Sequence, residues 1–545
     1  MAVLPISGEL VQSDCLPFSD IPHTTPLFDD FLSWAPRVQS FYPRPPQPSR
    51  WLSEQAGSIR YEDGRRKKVA DILDRQNRAW GATAECLENI ARFRAGAACI
   101  VTGQQVGLFG GPLFTIFKAV SAVSIASEAR RAGVDCIPVF WLATEDHDFE
   151  EINHATLLNA NFSLQLLRAD SVRRPDAPIS TVQFGDEIGG LLEEAASLLG
   201  DSEVTEVLRD SYRPGEAFGD AFARLLAKLF ARWGVVMLDA SDPELHGVAA
   251  PLYVAAVERA RELDEALLHR GKELISAGYH EQVKVTAKST LLFALQDGAR
   301  TSVHLNGQNE FRIAGERVRA EDLLERIKAE PENFSANVLL RPVVQDYLLP
   351  TLAYIGGPAE VAYFAQAGVI YEKLLGHITP ILPRFSATLV EPKLQKLLQR
   401  YGIDLKDLFH GFDALREKLA ERSLPADLHQ SFDSAEKSLT ESLANLRAAL
   451  ERLDPTLVQA ADRAGSKMHY QLARLRGRTA RAQTLRSEIV DRHAVQLSSA
   501  LFPRKALQER EIAGIYFLAR HGVPLLDRLY AAATSGCPEH QMLYL

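Results

Sequence analysis

The chain has 545 residues, 46% of them hydrophobic and 24% charged, and its formal net charge is −9. That length predicts two to four domains with ample core, and the composition is that of a globular protein. The acidic balance argues against a generally nucleic-acid-binding surface and leaves only a local basic patch open.

The first residues, MAVLPISGELVQSD, lack a basic segment followed by an apolar one, so no signal peptide is expected. No later run approaches the ~18 apolar residues of a membrane span, and the expected location is cytoplasmic. Residues 1–60 are rich in proline and aromatics and predict an irregular segment packed on the core. Residues 65–95 have helical spacing.

Strand–helix alternation then begins. Ala97–Val101 reads as a strand. It runs into a loop, GQQVGLFGGP, with glycines at 103, 107, 110 and 111. Leu113–Ala132 reads as a helix carrying Lys118. Strand, glycine loop and helix is how α/β proteins present backbone N–H groups to an anion. Gly103, Gly107, Gln104, Gln105 and Lys118 are therefore candidate ligand contacts. The loop matches neither the dinucleotide fingerprint nor the P-loop pattern.

Val134–Ala143 predicts a second strand buried on both faces. Directly after it comes Thr144-Glu145-Asp146-His147-Asp148. Crowded carboxylates beside a histidine suit general acid–base work or Mg²⁺, and open α/β sheets bind ligands at this strand end. Asp146, His147 and Asp148 are the candidate catalytic residues, with Gln104 and Gln105. A zinc site from His147 and His154 is disfavoured by their spacing, and no metal is assigned. Residues 155–185 look extended, helices fill about 188–233, GVVMLDASDPEL predicts another parallel strand ending in acids, and residues 283–316 predict a small β insertion.

Residues 335–390 return to α/β character. Arg341, Gln345 and Asp346 share helical or turn spacing. Gly356-Gly357-Pro358 repeats the glycine–proline helix start, and Glu360, Tyr363 and Gln366 follow on one helical face. Together with Arg384 they are candidate substrate contacts, because arginine and lysine suit carboxylates.

From about 425 to 497, Leu439, Leu443, Leu446, Leu450, Leu453 and Leu457 recur at helical spacing, as do Met468, Leu472, Leu475, Ala482, Leu485 and Ile489. Asp454-Pro455 fits a cap between two helices. Residues 431–460 carry net −2 and residues 461–490 net +5, which favours antiparallel pairing. Arg474, Arg476, Arg478, Arg481 and Arg486 make the second helix basic, as a solvated coiled-coil face or an RNA contact. Five cysteines at wide, odd spacing (15, 86, 99, 136 and 537) predict reduced structural thiols.

The blocks VTGQQVGLFGGPLFTIFKA, PVFWLATEDHDFEEINH, LRPVVQDYLLPTLAYIGGPAEVAYFAQ and LFPRKALQER resemble those of the bacillithiol biosynthesis cysteine-adding enzyme (cysteine ligase) family. The resemblance covers nearly the whole chain, although Arg504 stands where that family often has glycine. It implies a Rossmann-type parallel-sheet core with two connecting insertions and an antiparallel helical coiled-coil arm that mediates homodimerisation. It implies addition of L-cysteine to glucosaminyl-malate, forming an amide in the last step of bacillithiol biosynthesis. It also implies binding of an adenine nucleotide, ATP or ADP, for which Gln508, Glu509 and Arg510 of the last block are the candidate contacts.

The expected domains are a segment over 1–96, a core over 97–390 with insertions near 155–230 and 270–330, an arm over 391–500, and a return to the core over 501–545. The core also resembles class I aminoacyl-tRNA synthetases, but their HxGH signature is absent. Two other readings stay open: a synthetase-like RNA-binding module acting on aminoacylated tRNA, and a nucleotide-sensing dimeric scaffold.

Overall fold

Five near-continuous apolar runs become strands buried on both faces, as parallel strands between helical layers must be. They are β1 (Ala98–Gln104), β2 (Cys136–Leu142), β3 (Val236–Asp239), β4 (Thr351–Gly356) and β5 (Ile381–Pro383). Every neighbouring pair is parallel, and the order across the sheet is 5-4-1-2-3. Seen from the other side this is the doubly wound order 3-2-1-4-5. The direction of winding reverses between β1 and β4, and such sheets bind ligands in the crevice outside the strand ends there. The computed structural model describes residues 13–171, 173–307, 309–484 and 488–545.

Helix α1 (Phe114–Arg131) follows β1 and is buried through Thr115–Ser124 without interruption. A helix apolar on most sides belongs inside a fold, not on its surface. Helix α2 (Pro243–Glu258) follows β3, with Asp242 capping it by accepting from the Glu244 N–H at 3.0 Å. Helix α3 (Arg341–Leu348) leads into β4, and α4 (Pro358–Leu375) leaves it.

Both expected insertions have the secondary structure read from their patterns. Strands His154–Leu158 and Leu164–Arg168 pair, and helices follow over Glu187–Leu199, Glu203–Ser211 and Phe218–Leu229. The second insertion is a five-stranded antiparallel sheet that includes the hairpin Ser289–Gln296 and Ala299–Leu305. The N-terminal segment is less irregular than expected. Thr25 caps a helix over Pro26–Ser33, and Leu27, Phe28, Phe31 and Leu32 bury its inner face.

The chain divides into two compact units. The first comprises the described residues up to Leu157, Gln165–Thr388 and Glu509–Leu543, and it contains the sheet. The second comprises Leu158–Leu164, Leu389–Gln508 and Tyr544–Leu545. Within the second unit, α5 (Ala426–Leu453) and α6 (Val458–Thr484) form the arm. Asp454 breaks the helix between them, accepting from the Thr456 N–H at 2.9 Å. They pair antiparallel within one chain: Arg447 meets Asp462 at 3.1 Å near the turn, and Arg476 meets Asp433 at 2.7 Å further away. Arg476 also pairs with Glu421 at 2.9 Å, so this member of the basic helix serves the arm itself. Leu485 and Arg486 lie outside the described residues, as does the N-terminal stretch over 1–12. Only the backbone of Arg481 and Ala482 is described.

Arg504 adopts a left-handed backbone, φ 50°, where glycine is favoured. The sequence departure noted there therefore falls on a turn that would suit glycine.

The cysteine expectation is corrected. Cys15 and Cys537 form a disulfide, because strand Ser13–Leu16 pairs antiparallel with His540–Leu543 and brings the two ends of the chain together. A separation of 522 residues hides that proximity from spacing arguments. Cys86, Cys99 and Cys136 are free and buried, as expected. Among the described residues, no helix is long and apolar enough to cross a membrane.

Candidate active site

The carboxyl ends of the five strands carry most of the expected site residues. Gln104 and Gln105 stand at the end of β1, Glu145–Asp148 beyond β2, Asp239 at the end of β3, Gly357 and Glu360 beyond β4, and Arg384 beyond β5.

Four N–H groups of the glycine loop and the helix start after it are engaged inside the fold, so these four are not open to the anion expected from the sequence. β1 extends through Gly103 and Gln104. The N–H of Gly107 donates to Gln105 O at 2.9 Å, that of Gly110 to Gly107 O at 3.1 Å, that of Gly111 to Leu108 O at 3.0 Å, and that of Leu113 to Ile512 O at 2.8 Å. Gly110 (φ 87°) and Gly111 (φ 69°) need the left-handed backbone that glycine adopts freely. Gly103 is a packing glycine, because a Cβ there would come 3.0 Å from Trp141. Gly107 likewise presses on Gly111.

Lys118 is buried rather than solvated. Its Nζ donates to Gly103 O at 2.7 Å and Gln104 Oε1 at 2.8 Å, and it forms an ion pair with Glu360 Oε2 at 2.6 Å. Burial lowers the lysine's pKa against the pull of Glu360. Burial would raise Glu360, yet Lys118 and the hydrogen bonds from Tyr354 and the Gly357 N–H carry it below its ordinary value. The Tyr354 hydroxyl donates to Glu360 Oε1 at 2.6 Å and the Gly357 N–H to Oε2 at 2.7 Å.

Arg341 joins this cluster from α3. It donates to Tyr363 OH at 2.7 Å, Tyr354 OH at 3.4 Å and Gln345 Oε1 at 3.2 Å. Gln345 in turn donates to Asp346 Oδ1 at 3.1 Å, and Tyr371 OH holds Asp346 Oδ2 at 2.5 Å. Gln345 and Asp346 are buried and support Arg341 from behind. Gln366 turns elsewhere, bridging the backbone N–H and C=O of Val283 at 2.9 and 2.8 Å.

Beyond β2, Gln105 donates to Asp146 Oδ2 at 2.7 Å and to Glu151 Oε2 at 2.8 Å. The Asp146 and His147 side chains are 33% and 35% exposed, so solvent or a ligand reaches both. Asp148 caps the short helix Phe149–Ile152 by accepting from the Glu151 N–H at 3.2 Å. That cap gives Asp148 a local structural duty.

Glu145 of the acidic run, with Arg300 and His246, which carried no sequence assignment, completes this corner. Arg300, from the antiparallel insertion, donates to Ser335 Oγ at 3.0 Å and Ala336 O at 2.7 Å, and stacks 4.0 Å from the Phe293 ring centroid. Its Nη1 lies 3.5 Å from His147 Nδ1 and 3.8 Å from Asp146 Oδ1. Glu145 Oε1 is buried 3.3 Å from His246 Nε2 of α2. Burial pushes the Glu145 carboxyl above its ordinary value, while His246, Arg300 and Arg341 pull it down. Glu145 thus feels the charges of both clusters. Arg300 gave no sequence signal, since one arginine in a hairpin strand looks like any other. The acids ending the third strand were read only as a strand end, and His246 was not singled out.

Arg384 and Glu509 form a buried pair at 2.5 Å. Glu509 also accepts from Ser386 Oγ at 2.9 Å and the Ala387 N–H at 3.1 Å. Gln508 binds the backbone of Leu389 and Ala500. The Arg510 guanidinium lies 5.9 Å from the Phe114 ring centroid. Gln508 and Glu509 are each 1% exposed with their polar atoms bonded internally, so these two do not fit a nucleotide phosphate. Among the described residues, no three His, Cys, Asp or Glu side chains converge as metal ligands, so the acidic run does not assemble a Mg²⁺ set.

Residues 11–385 match the family model described as "Bacillithiol biosynthesis BshC, N-terminal Rossmann-like domain". Residues 387–545 match "Bacillithiol biosynthesis BshC, C-terminal coiled-coil domain". Among curated proteins, "Putative cysteine ligase BshC" of Koribacter versatilis is 51% identical over 97% of this chain and 99% of its own length. The protein of the same name from Solibacter usitatus is 36% identical over 97% and 99%. That from Bacillus cereus is 28% identical over 89% of this chain and 94% of its own.

Proposed function

The chain belongs to the BshC family of bacillithiol biosynthesis, and we propose that it is a ligase joining L-cysteine to the amine of glucosaminyl-malate through an amide, the last step in making bacillithiol. The observation that carries this reading is the placement of Arg300 beside the exposed Asp146–His147 pair at the strand ends. A substrate with two malate carboxylates and a nucleophilic amine needs cations next to a proton acceptor.

In this reading Arg341, held by Tyr363 and Gln345, binds a malate carboxylate. Lys118 and Arg384 have their charges matched by Glu360 and Glu509, so they set the shape and potential of the crevice instead of binding malate directly. Asp146, positioned by Gln105 and adjoining His147, takes the proton from the attacking amine. Gln104, with its carbonyl fixed by Lys118, turns its amide N–H₂ toward the oxyanion that forms as the amine adds.

Amide formation from a free carboxylate in water is uphill, so the cysteine carboxyl must arrive activated. An adenine nucleotide would supply that activation. Gln508 and Glu509, two of the contacts assigned from the sequence, do not fit one. The arm supports a homodimer: Leu446, Met468, Tyr470 and Leu475 are exposed on its two helices.

The test is incubation of the purified chain with glucosaminyl-malate, L-cysteine and ATP, read by mass spectrometry. The amide product is expected. Its absence with and without ATP, while both substrates stay intact, would overturn the reading.

A further inference from the structure

A bulge in the antiparallel insertion opens a cavity. Phe293 of the strand Ser289–Gln296 stands opposite Ser302, and Ser289 stands opposite His304. Thr290, Leu291 and Leu292 therefore face Val303 alone. Bulges of this kind bend a strand and re-aim its side chains, and they gather next to functional sites. The space at this one has a volume of about 130 Å³, room for roughly four waters.

Its lining divides by chemistry. Leu267, from the helix Ala260–Ser276, and Leu339 are buried and give the space an apolar floor. Ser302 and His304 line it together, since residues two apart on a strand share a face. Lys284 and Asn337 complete the polar part. Lys284 and His304 are exposed, so that part meets solvent. Among the described residues, the Lys284, Ser302 and His304 side chains have no hydrogen-bond or ion-pair partner. Asn337 Oδ1 accepts from the N–H groups of Leu339 and Leu340, each at 3.0 Å, and its Nδ2 stays open. No aspartate or glutamate lines the space, in a chain where acids outnumber Lys and Arg by 70 to 61.

The position of Lys284 is fixed from the core. Gln366 of α4 is fully buried, and its Oε1 accepts from the Val283 N–H at 2.9 Å while its Nε2 donates to Val283 O at 2.8 Å. Both halves of one buried amide thus hold the backbone next to Lys284. Phe293 also lines the space. Arg300 stacks 4.0 Å from the Phe293 ring centroid, and the His147 ring lies 6.2 Å from it. One aromatic ring therefore borders both this cavity and the Asp146–His147 corner.

We infer that the cavity binds a small monocarboxylate with a short apolar body, its carboxylate at Lys284, His304 and Asn337 Nδ2 and its carbon chain against Leu267 and Leu339. The inference goes beyond the ligase reading and stands without it. An α-amino acid does not suit the space, because its ammonium would meet a lysine and no carboxylate. Acetate or inorganic phosphate would leave the apolar floor uncovered.

Ligand-observed NMR titration of the full-length protein tests this with four probes: pentanoate, acetate (no chain), pentanamide (no charge) and L-norvaline (the same chain with an α-ammonium). Pentanoate is expected to bind at least about tenfold more tightly than each of the others. Lys284→Gln should weaken pentanoate by about tenfold, and Ser302→Leu, which fills the cavity, should abolish its binding. Lys288→Gln removes an exposed lysine outside the lining and should change nothing. A circular-dichroism melt establishes that each variant is folded. If Ser302→Leu does not fold, Lys284→Gln, at an exposed position, decides alone. Pentanoate bound no more tightly than acetate, pentanamide or norvaline would overturn the site. So would an affinity unchanged in folded Lys284→Gln or Ser302→Leu, or an equal loss in Lys288→Gln. These readouts are independent of amide formation: a protein that binds pentanoate and makes no amide loses the ligase reading and keeps this site.

Discussion

Lys118 Nζ and Glu360 Oε2 meet at 2.6 Å between the helices that follow β1 and β4, at the point where the sheet reverses its winding. The crevice that a doubly wound sheet opens to ligands is therefore floored by a matched pair of charges. Gln104, Tyr354 and the Gly357 N–H complete the hydrogen bonding of this pair.

A buried pair whose partners depend on each other predicts an asymmetric mutational pattern. Lys118→Met should destabilise the fold by about 3–5 kcal/mol, because Glu360 is left charged and buried. The double variant Lys118→Met/Glu360→Leu should recover most of that loss. Urea unfolding of the two single variants and the double measures the coupling. A double variant as unstable as the summed singles would show that the two do not act as a pair.

Asp146 is half-buried and accepts from only one side chain, so its removal should be mild for the fold and severe for the chemistry. Asp146→Asn is expected to lower amide formation by about 10²-fold or more, the usual contribution of a general base. Its melting temperature should stay near that of the parent. Steady-state rates with saturating substrates, alongside a thermal melt, separate the two effects.

His540 is fully buried between Ser386 and Thr388, and burial pushes its pKa down to about 4. The folded state thus refuses a proton that the unfolded chain accepts from an ordinary value of 6.5. Stability is complete above that value and is lost as the pH falls toward about 4, by an amount on the order of 3 kcal/mol. Unfolding free energies across that window should slope upward with pH, and His540→Gln should flatten the slope. An unchanged slope in the folded variant would remove His540 as its source.

Asp264 behaves in the opposite sense. It is buried with Oδ1 lacking a partner, and burial pushes its carboxyl up to about 6. The penalty is present above that value and relieved as the pH falls through it, because the folded state then holds the proton more tightly than the unfolded one. Asp264→Asn should therefore raise stability near pH 8 by about 1–2 kcal/mol and change little near pH 4. Thermal melts at the two pH values check the difference.

The Cys15–Cys537 bridge closes a loop of nearly the whole chain. Reduction should lower stability by about 2–5 kcal/mol, as for other native disulfides. Melting with and without a dithiol reductant reads this, and Cys537→Ser should abolish the difference. A parent protein insensitive to reduction would show that the bridge carries no stability.

The parallel sheet was legible because β1, β2 and β4 are buried on both faces and had to be apolar almost throughout. The two arm helices were legible from heptad-like leucines and from Asp454-Pro455, a signal confined to adjacent residues. The strand ends carrying Gln105, Asp146 and Glu360 followed from those same patterns. What misled was the glycine loop. Its composition suits an anion cradle, but the N–H groups of Gly107, Gly110 and Gly111 close local turns and that of Leu113 reaches Ile512, far along the chain. Gln345 and Gln366 looked like ligand contacts from their helical spacing, and Gln508 and Glu509 from the resemblance of the last block. In the fold they satisfy buried backbone and side-chain groups.

The sequence by itself determined the strands, the arm and the family, since periodicity, turn chemistry and long motif blocks are local properties. Only the tertiary structure decided which charges are matched and which stay open. Lys118 finds Glu360 and Arg384 finds Glu509 across distant segments, while Arg300 arrives from an antiparallel insertion to meet Asp146 and His147. Charge pairing depends on distance in space and on desolvation, and neither is written in the spacing of residues along a chain.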